Sequence, residues 1–552
     1  MLTLRRVDRR ASPAKRALLS PVTAFQFCIF WALMTADTLA RTSALVEAEA
    51  ILKSVFGYEA FRGEQAHVIE AILAGHDVLA VLPTGGGKSL CYQIPALVKK
   101  RFAVVISPLI ALMSDQVQAL KARGVRAERL DSSRGLDARQ AVWDAARDGE
   151  LDLLYLAPEA LAPFVLDRLV KLKPSLIAID EAHCISAWGH DFRPEYRALG
   201  QLKTLLPDVP TLALTATADA VTRQDIRAAL HLDEALDFVA SSDRPNLSLR
   251  FVRRKGSAAK AVVELLQRQK GASGIVYCGS RDGTEKLAAS LTKEGFSAAA
   301  YHAGLPAAMR EDRLKAFLSG KTRIMVATIA FGMGINKADV RFVIHADPPS
   351  SLEAYWQEVG RAGRDGKPAS GVCFYNAGDL GWAIRRLTLR EQEGAADQSV
   401  QKQKARDFFQ MVLGHDCRAQ SVRGYFGEST GAACGKCDNC LARGKVADVT
   451  EPAQMLMSAL YRLNGPRGRK KLIDHVLGKA EGHDYTTRMK TFGVAKGYDI
   501  NLLTHVLDLC EAHGIIQEEL YQERMPIVAL NDADRLKALF KGELRMSALQ
   551  SR

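Results

Sequence analysis

The eight residues Leu82-Pro83-Thr84-Gly85-Gly86-Gly87-Lys88-Ser89 constrain this chain more than any other stretch. They follow a short apolar run, DVLAVLP (77–83), and precede a helical pattern, LCYQIPALVKK. Three successive glycines let the backbone curl so that consecutive N–H groups face one point, and the following helix N-terminus adds partial positive charge there. Such a strand–loop–helix unit cradles phosphate. Lys88 is placed to reach the outer phosphates, and the Ser89 hydroxyl to ligate Mg²⁺. The strict pattern has glycine where this chain has Leu82, so the context of strand and helix carries much of the reading.

A nucleotide loop of this kind needs a parallel α/β sheet around it, and the sequence supplies two. DVLAVLP, FAVVISP (102–108), LDLLYLAP (151–158), SLIAIDEAH (175–183) and TLALTATA (211–218) form one set of apolar runs separated by helical stretches. SGIVYC (273–278), SAAAYHAG (297–304), RIMVATIA (323–330) and VRFVIHAD (340–347) form a second. Continuous apolar runs of this length are expected of strands buried on both faces. The polar stretch ASSDRPNLSLR (240–250) separates the sets. The expected organisation is an N-terminal extension (1–44), two α/β lobes (45–243 and 244–380), a cysteine-bearing helical module (381–445), a small helical domain ending in a β element (450–540) and a tail (541–552).

Two further clusters bear on chemistry. Asp180-Glu181-Ala182-His183 ends the run LIAI about 90 residues after the glycine loop, where acids face the ligand crevice of a parallel sheet. Asp180 is expected to hold Mg²⁺ and Glu181 to polarise an attacking water. QEVGRAGRDG (357–366) in the second lobe offers Arg361 and Arg364, three apart and on one face if the stretch is helical. They are candidates to meet negative charge developing on a γ-phosphate.

The chain carries 75 Lys and Arg against 62 Asp and Glu, a net charge of +13 that points to a polyanionic partner. With 48% hydrophobic and 25% charged residues, wholesale disorder is excluded. No apolar run is long enough for a transmembrane helix. Ten cysteines in 552 residues do not make a secreted disulfide framework. Four of them, Cys417, Cys434, Cys437 and Cys440, have metal-ligand spacing; four thiolates suit tetrahedral zinc or an iron–sulfur cluster. Residues 1–20 hold six basic residues and one acid, ahead of the apolar stretch PVTAFQFCIFWALM. A leader is one reading. The preferred expectation is that residues 1–33 precede the true start at Met34 and are dispensable.

In order, the glycine loop, DEAH, Thr215-Ala216-Thr217 and QEVGRAGRDG resemble superfamily 2 helicases. FGYEAFRGEQ (56–65), SPLIALMSDQV (107–117), DEAHCISAWGHDFRPEY (180–196), SSDRPN, AAYHAGL and VATIAFGMGINKADVRFVIH narrow the resemblance to the RecQ family, over residues 45–540. That resemblance implies two RecA-like lobes, a zinc module and a winged-helix domain. It implies an ATP-dependent 3′-to-5′ DNA helicase of recombination and repair, acting on single-stranded and duplex DNA in the cytoplasm and nucleoid of a bacterium. Single-strand-binding protein is an implied partner, and a monomer is favoured.

Residue by residue, the resemblance gives Gln65 an adenine-reading role and sandwiches the base between Tyr58 and Arg62. The family often has Pro-Gly where this chain has Gly63-Glu64. Thr84, Gly85, Gly86, Gly87 and Gln357 join the nucleotide site. The resemblance assigns zinc to the four cysteines. His183, Trp188, His190, Phe192, Arg193, Thr215, Thr217, His302 and Thr328 fall among residues that contact DNA or couple it to hydrolysis; Trp188 and Phe192 belong to an aromatic-rich loop able to stack on bases. Nine Lys and Arg against three acids in 462–496, with Tyr485, Phe492 and Tyr498 in or near the stretch, mark a duplex-gripping surface. An RNA helicase, or a DNA-binding or annealing protein without a motor, are the competing classes.

Overall fold

The computed structural model describes residues 43–550 apart from 132–134, 187–191, 255, 270, 333–336, 394–397, 443, 480–484 and 522–524. Seven strands build the first lobe: β1 Val78–Val81, β2 Ala103–Ile106, β3 Ala127–Leu130, β4 Leu153–Leu156, β5 Ile177–Ile179, β6 Thr211–Thr215 and β7 Leu236–Val239. All pairings are parallel, in the order β3-β4-β2-β5-β6-β1-β7. Every residue of β1, β2, β4, β5 and β6 is buried, which is why these five read as unbroken apolar runs. β3 and β7 lie at the two edges with mixed or mostly exposed side chains, and neither stands out in the sequence.

The second lobe has six parallel strands: β8 Leu247–Arg253, β9 Ser273–Tyr277, β10 Ala298–Tyr301, β11 Ile324–Ala327, β12 Val340–His345 and β13 Ala369–Tyr375, ordered β10-β11-β9-β12-β13-β8. β8 begins inside the stretch read as a polar junction, so part of that linker is sheet.

The cysteine-bearing module opens with two helices packed on each other, Asp379–Gln392 and Ser399–Leu413. The last domain holds helices Thr450–Arg462, Arg469–Leu477 and Ile500–Ala512 and the antiparallel hairpin β15 Ile516–Tyr521 with β16 Met525–Leu530. These three helices and the two-stranded wing fit a winged helix, and a fourth helix, Ala533–Lys541, follows the wing. Residues 541–550 of the expected tail are structured instead: β17 Ser547–Gln550 pairs antiparallel with β14 Lys445–Asp448, just ahead of the domain's first helix. The expected boundary at 540 is therefore corrected, because Met546 and Ala548 are buried in the domain's core.

One continuous hydrophobic core runs from Leu247 and Phe251 in the second lobe through Phe408 and Val422 to Leu456, Leu507 and Ala548. The first lobe has its own cores on the two faces of its sheet. The second lobe, cysteine module and winged helix thus share one interior, and the first lobe stands apart from it. Among the described residues no helix is long and apolar enough to cross a membrane.

Candidate nucleotide and metal sites

The glycine loop leaves β1 at its C-terminal end and enters the helix Leu90–Lys99. Gly85 and Gly87 take φ of +81° and +70°, a region open to glycine and strained for other residues. Lys88 Nζ lies 3.5 Å from the Leu82 carbonyl oxygen, folded back under the loop. Gln65, the first residue of the helix Gln65–Leu73, is buried and bonds the loop. Its Nε2 donates to the Gly86 and Gly87 carbonyls at 2.9 and 3.1 Å, while its Oε1 accepts the Arg62 amide at 2.9 Å. A Cβ on Gly87 would stand 2.4 Å from that Nε2. The Arg62 guanidinium lies over the Tyr58 ring, 5.9 Å from its centroid. Tyr58, Arg62, Gln65 and the three glycines line a small pocket of about 70 Å³ beside a larger one between the lobes.

This inter-lobe cavity, about 360 Å³, is where the two lobes meet. Lobe 1 contributes Thr84, Gly85, Gly87, Lys88, Ser89, Asp180 and Glu181 to its lining, and lobe 2 contributes Gln357, Arg361 and Arg364. Asp180 follows β5, and its Oδ1 accepts the Glu181 amide at 3.0 Å. Burial, then the adjacent Glu181 carboxylate, pushes the Asp180 carboxyl up to about 7, while Lys88 pulls the other way. A carboxyl so poised gains from a cation, and with the Ser89 hydroxyl it forms a donor set suited to Mg²⁺. Glu181 adopts φ +51°, a left-handed conformation held in a non-glycine residue, which points to a geometry imposed by the site.

Glu181 is the start of a polar chain. His183 is fully buried; its Nδ1 lies 3.3 Å from Glu181 Oε2 and 2.9 Å from Thr215 Oγ1. Thr215 Oγ1 in turn accepts the Thr217 amide at 3.2 Å. Glu181 is thereby joined to the end of β6. Arg193 donates to the Pro108 carbonyl at 2.8 Å, and Phe192 is exposed. Trp188 and His190 lie outside the described residues. On lobe 2, His302 and Thr328 follow the neighbouring strands β10 and β11. His302 Nε2 meets Glu285 Oε1 at 2.9 Å, and Thr328 Oγ1 accepts the Ala330 amide at 3.4 Å. Neither lines the inter-lobe cavity.

The two arginines do not sit on a helix face. The helix Leu352–Val359, capped by Ser351, ends before them, and both lie in the turn that follows. Gly363 at φ +62° lets that turn reverse. Sequence reading passed over what holds it: Arg244 donates to the carbonyls of Gly360, Ala362 and Gly363 at 3.0, 2.7 and 3.3 Å, and Asn246 to those of Gly363 and Lys367 at 2.8 and 2.9 Å. The SSDRPN segment is thus a brace for the arginine turn. Its only signal in the sequence was its family resemblance. Arg364 presses on the glycine loop, its Cγ 3.1 Å from where a Cβ on Gly85 would be. Burial, then repulsion from Arg361 and Arg244, lowers the Arg364 guanidinium to about 10, with Glu181 among the groups opposing this.

A Cβ on Gly360 would fall 2.3 Å from Thr84 Oγ1 across the lobe boundary. Gly360→Ala is therefore expected to hold the lobes apart and lower kcat for ATP about ten- to a hundredfold, with metal content unchanged. Steady-state ATPase kinetics with zinc analysis on the same sample check this.

The four cysteine sulfurs all lie within 4.8 Å of one another. A tetrahedral zinc with Zn–S of about 2.3 Å separates its sulfurs by roughly 3.8 Å, so the cluster fits with little adjustment. The Cys434 amide donates to Cys417 Sγ at 3.1 Å and the Cys440 amide to Cys437 Sγ at 3.4 Å. Backbone N–H groups aimed at sulfur favour the thiolate form a metal needs. Asp438, between two of the cysteines, accepts the Phe251 amide of edge strand β8 at 3.0 Å and pairs with Arg418 at 2.9 Å. The cluster therefore covers the sheet edge of lobe 2.

In the winged helix, one of the nine basic residues is not available to DNA. Arg469 is ringed by Asp508, Glu511 and Glu518, at 2.8 Å from Asp508 and 3.1 Å from Glu518. Lys470, Lys471 and Tyr485 remain exposed.

Comparison with known proteins matches four families in chain order: DEAD/DEAH box helicase (62–226), helicase conserved C-terminal domain (257–366), RecQ zinc-binding (382–441) and RQC domain (444–550). The chain is 42% identical over 502 residues to the ATP-dependent DNA helicase RecQ of Haemophilus influenzae, covering 90% of this chain and 80% of that one. The chain belongs to the RecQ family. A Bacillus subtilis RecQ is 34% identical, with 91% and 85% covered. In fold alone, this chain resembles the DNA-bound DUF1998 helicase MrfA, with a TM-score of 0.52 at 18% identity over 66% of this chain and 56% of that one. Zinc is the metal of the cysteine site, as the RecQ zinc-binding match and the four-thiolate geometry agree. The iron–sulfur alternative has no support from the family.

Proposed function

We propose that the chain is an ATP-driven DNA helicase that travels 3′ to 5′ on single-stranded DNA and separates duplexes in recombination and repair. The observation that carries this reading is the shared inter-lobe cavity: the glycine loop, Lys88, Asp180 and Glu181 from one lobe face Gln357, Arg361 and Arg364 from the other. Family membership supplies the DNA substrate.

In this reading the loop amides and Lys88 hold the β- and γ-phosphates, and Gln65, Tyr58 and Arg62 take the adenine. Glu181 orients the attacking water; Arg361 and Arg364 meet the charge that builds on the transferred phosphoryl group. Ser89 and Asp180 would hold Mg²⁺, which neutralises phosphate charge. Because the arginines and the acids come from different lobes, ATP favours the closed cleft and its hydrolysis removes the ligand that bridges it. His183, Thr215 and Thr217 carry that change from Glu181 towards the DNA, and Trp188, Phe192 and Arg193 sense the strand. His190, His302 and Thr328 complete the strand-contacting set, and the exposed lysines of the winged helix grip the duplex. The enzyme acts as a monomer in the bacterial cytoplasm, at the nucleoid, with single-strand-binding protein as a partner.

One relative at 40% identity over 71% of this chain bears the name putative ATP-dependent RNA helicase, so an RNA substrate is the second reading. Strand displacement on matched tailed DNA and RNA duplexes decides between them: unwinding of the 3′-tailed DNA is expected, and preference for RNA would reverse the assignment. Trp188→Ala or Phe192→Ala is expected to leave basal ATPase in place while stimulation by single-stranded DNA falls at least about tenfold, each lost stacking contact being worth about 1–3 kcal/mol. ATPase titrations with oligonucleotide check this.

A further inference from the structure

A buried polar cluster outside the nucleotide cavity joins three parts of the molecule. Lys404, on the helix Ser399–Leu413 of the zinc module, is buried, and its Nζ pairs with Oε1 of Glu353. Glu353 is itself buried and lies in the first turn of Leu352–Val359, the helix that leads into the arginine turn. Tyr425, also of the zinc module, donates to the same Oε1 at 2.8 Å. The second Glu353 oxygen, Oε2, is buried with no hydrogen-bond partner among the described residues.

The third part is lobe 1. Asp219 stands two residues past Thr217, at the end of the polar chain that starts at Glu181. Its Oδ1 accepts the Thr222 amide at 2.7 Å, capping the helix Ala220–Leu230. Its Oδ2 faces Lys404 Nζ at 3.7 Å. Asp407 adds a further carboxylate to the surroundings of Lys404 and Glu353. A single ammonium therefore serves several carboxylates, tightly on the side of lobe 2 and loosely across the lobe boundary. Removing it leaves buried acids facing one another, and charges in such a setting act strongly.

We propose that Lys404 is a positioning residue for ATP hydrolysis: from the zinc module it fixes the arginine-bearing helix through Glu353 and registers that helix against lobe 1 through Asp219. The zinc module is on this account a working part of the ATPase as well as a prop for the sheet edge. The 3.7 Å separation is the adjustable contact, because Asp219 and Glu353 belong to different lobes, whereas the helices that carry Lys404 and Glu353 pack into one core. Lobe closure that shortens it draws the arginine turn and the β6 end together. The inference rests on reading the inter-lobe cavity as a DNA-stimulated ATPase.

The test compares wild type, Lys404→Met, Lys404→Arg, Asp219→Asn and the Lys404→Met/Asp219→Asn double variant of the full chain. Asparagine caps helices as well as aspartate, so Asp219→Asn removes the charge and keeps the fold. Expected are a fall in DNA-stimulated kcat of about tenfold in Lys404→Met and Asp219→Asn, a KM for ATP within about twofold of wild type, and one zinc per chain throughout. The double variant should fall no further than the worse single, and Lys404→Arg should retain most of the activity. Wild-type kcat in Asp219→Asn, or losses that multiply in the double variant, overturns the proposal. So does zinc loss in Lys404→Met that accounts for its whole defect. Absence of DNA-stimulated turnover in wild type would overturn the helicase reading itself, a distinct result.

Discussion

Lys88→Ala is expected to abolish ATP hydrolysis and unwinding while sparing most DNA binding. The side chain stands in the glycine loop with its ammonium held 3.5 Å from the Leu82 carbonyl, ready to be drawn out by phosphate. Removing a preorganised cation from a developing phosphoryl charge costs on the order of 10²–10³-fold in kcat, and more when phosphate binding is lost as well. On the proposed reading, DNA affinity comes from other surfaces: the exposed lysines of the winged helix and the aromatic-rich loop. ATPase, strand displacement and oligonucleotide binding measured on one preparation separate these contributions. Near-normal unwinding by the variant would remove the phosphate loop from the account.

The second large effect is on folding. Cys434→Ser is expected to yield protein that lacks zinc and is poorly folded, not a folded enzyme without activity. Structural zinc sites contribute roughly 10–16 kcal/mol to folding in small peptides, and four protein ligands leave no position for a reacting water. Here the cluster also carries Asp438, which caps edge strand β8 through the Phe251 amide, and Phe251 belongs to the core shared by lobe 2, the zinc module and the winged helix. Loss of the metal therefore spreads beyond the 24 residues that span the cysteines. Metal analysis of chelator-washed wild type should return one zinc per chain, and the variant should show early thermal unfolding or aggregation. A folded, zinc-free variant with a wild-type transition would contradict the structural role.

Much of this was legible in the sequence. The central strands β1, β2, β4, β5 and β6 are buried on both faces, so selection for burial writes itself as uninterrupted apolar runs. Edge strands β3 and β7 carry no such signature. β17 was missed because a four-residue strand at the end of a chain, Ser547–Gln550, has too few residues to show a period. At the site, the loop, the acids and the cysteines were readable because each is local: a few residues at fixed spacing create the chemistry. Arg244, Asn246, Lys404 and Asp219 were not, because their partners lie far along the chain and their meaning is made by the approach of separate modules. Gln65 shows a related gap. The family resemblance gives it adenine to read, and in this structure its amide bonds the loop carbonyls of Gly86 and Gly87.

A helicase of this design must turn over ATP at the inter-lobe cavity in response to DNA. Steady-state ATP hydrolysis by the full chain, measured with and without single-stranded DNA, tests that directly. The prediction is stimulation of at least about tenfold that disappears in Arg364→Ala. Turnover that ignores DNA, or that survives loss of Arg364 unchanged, would contradict it.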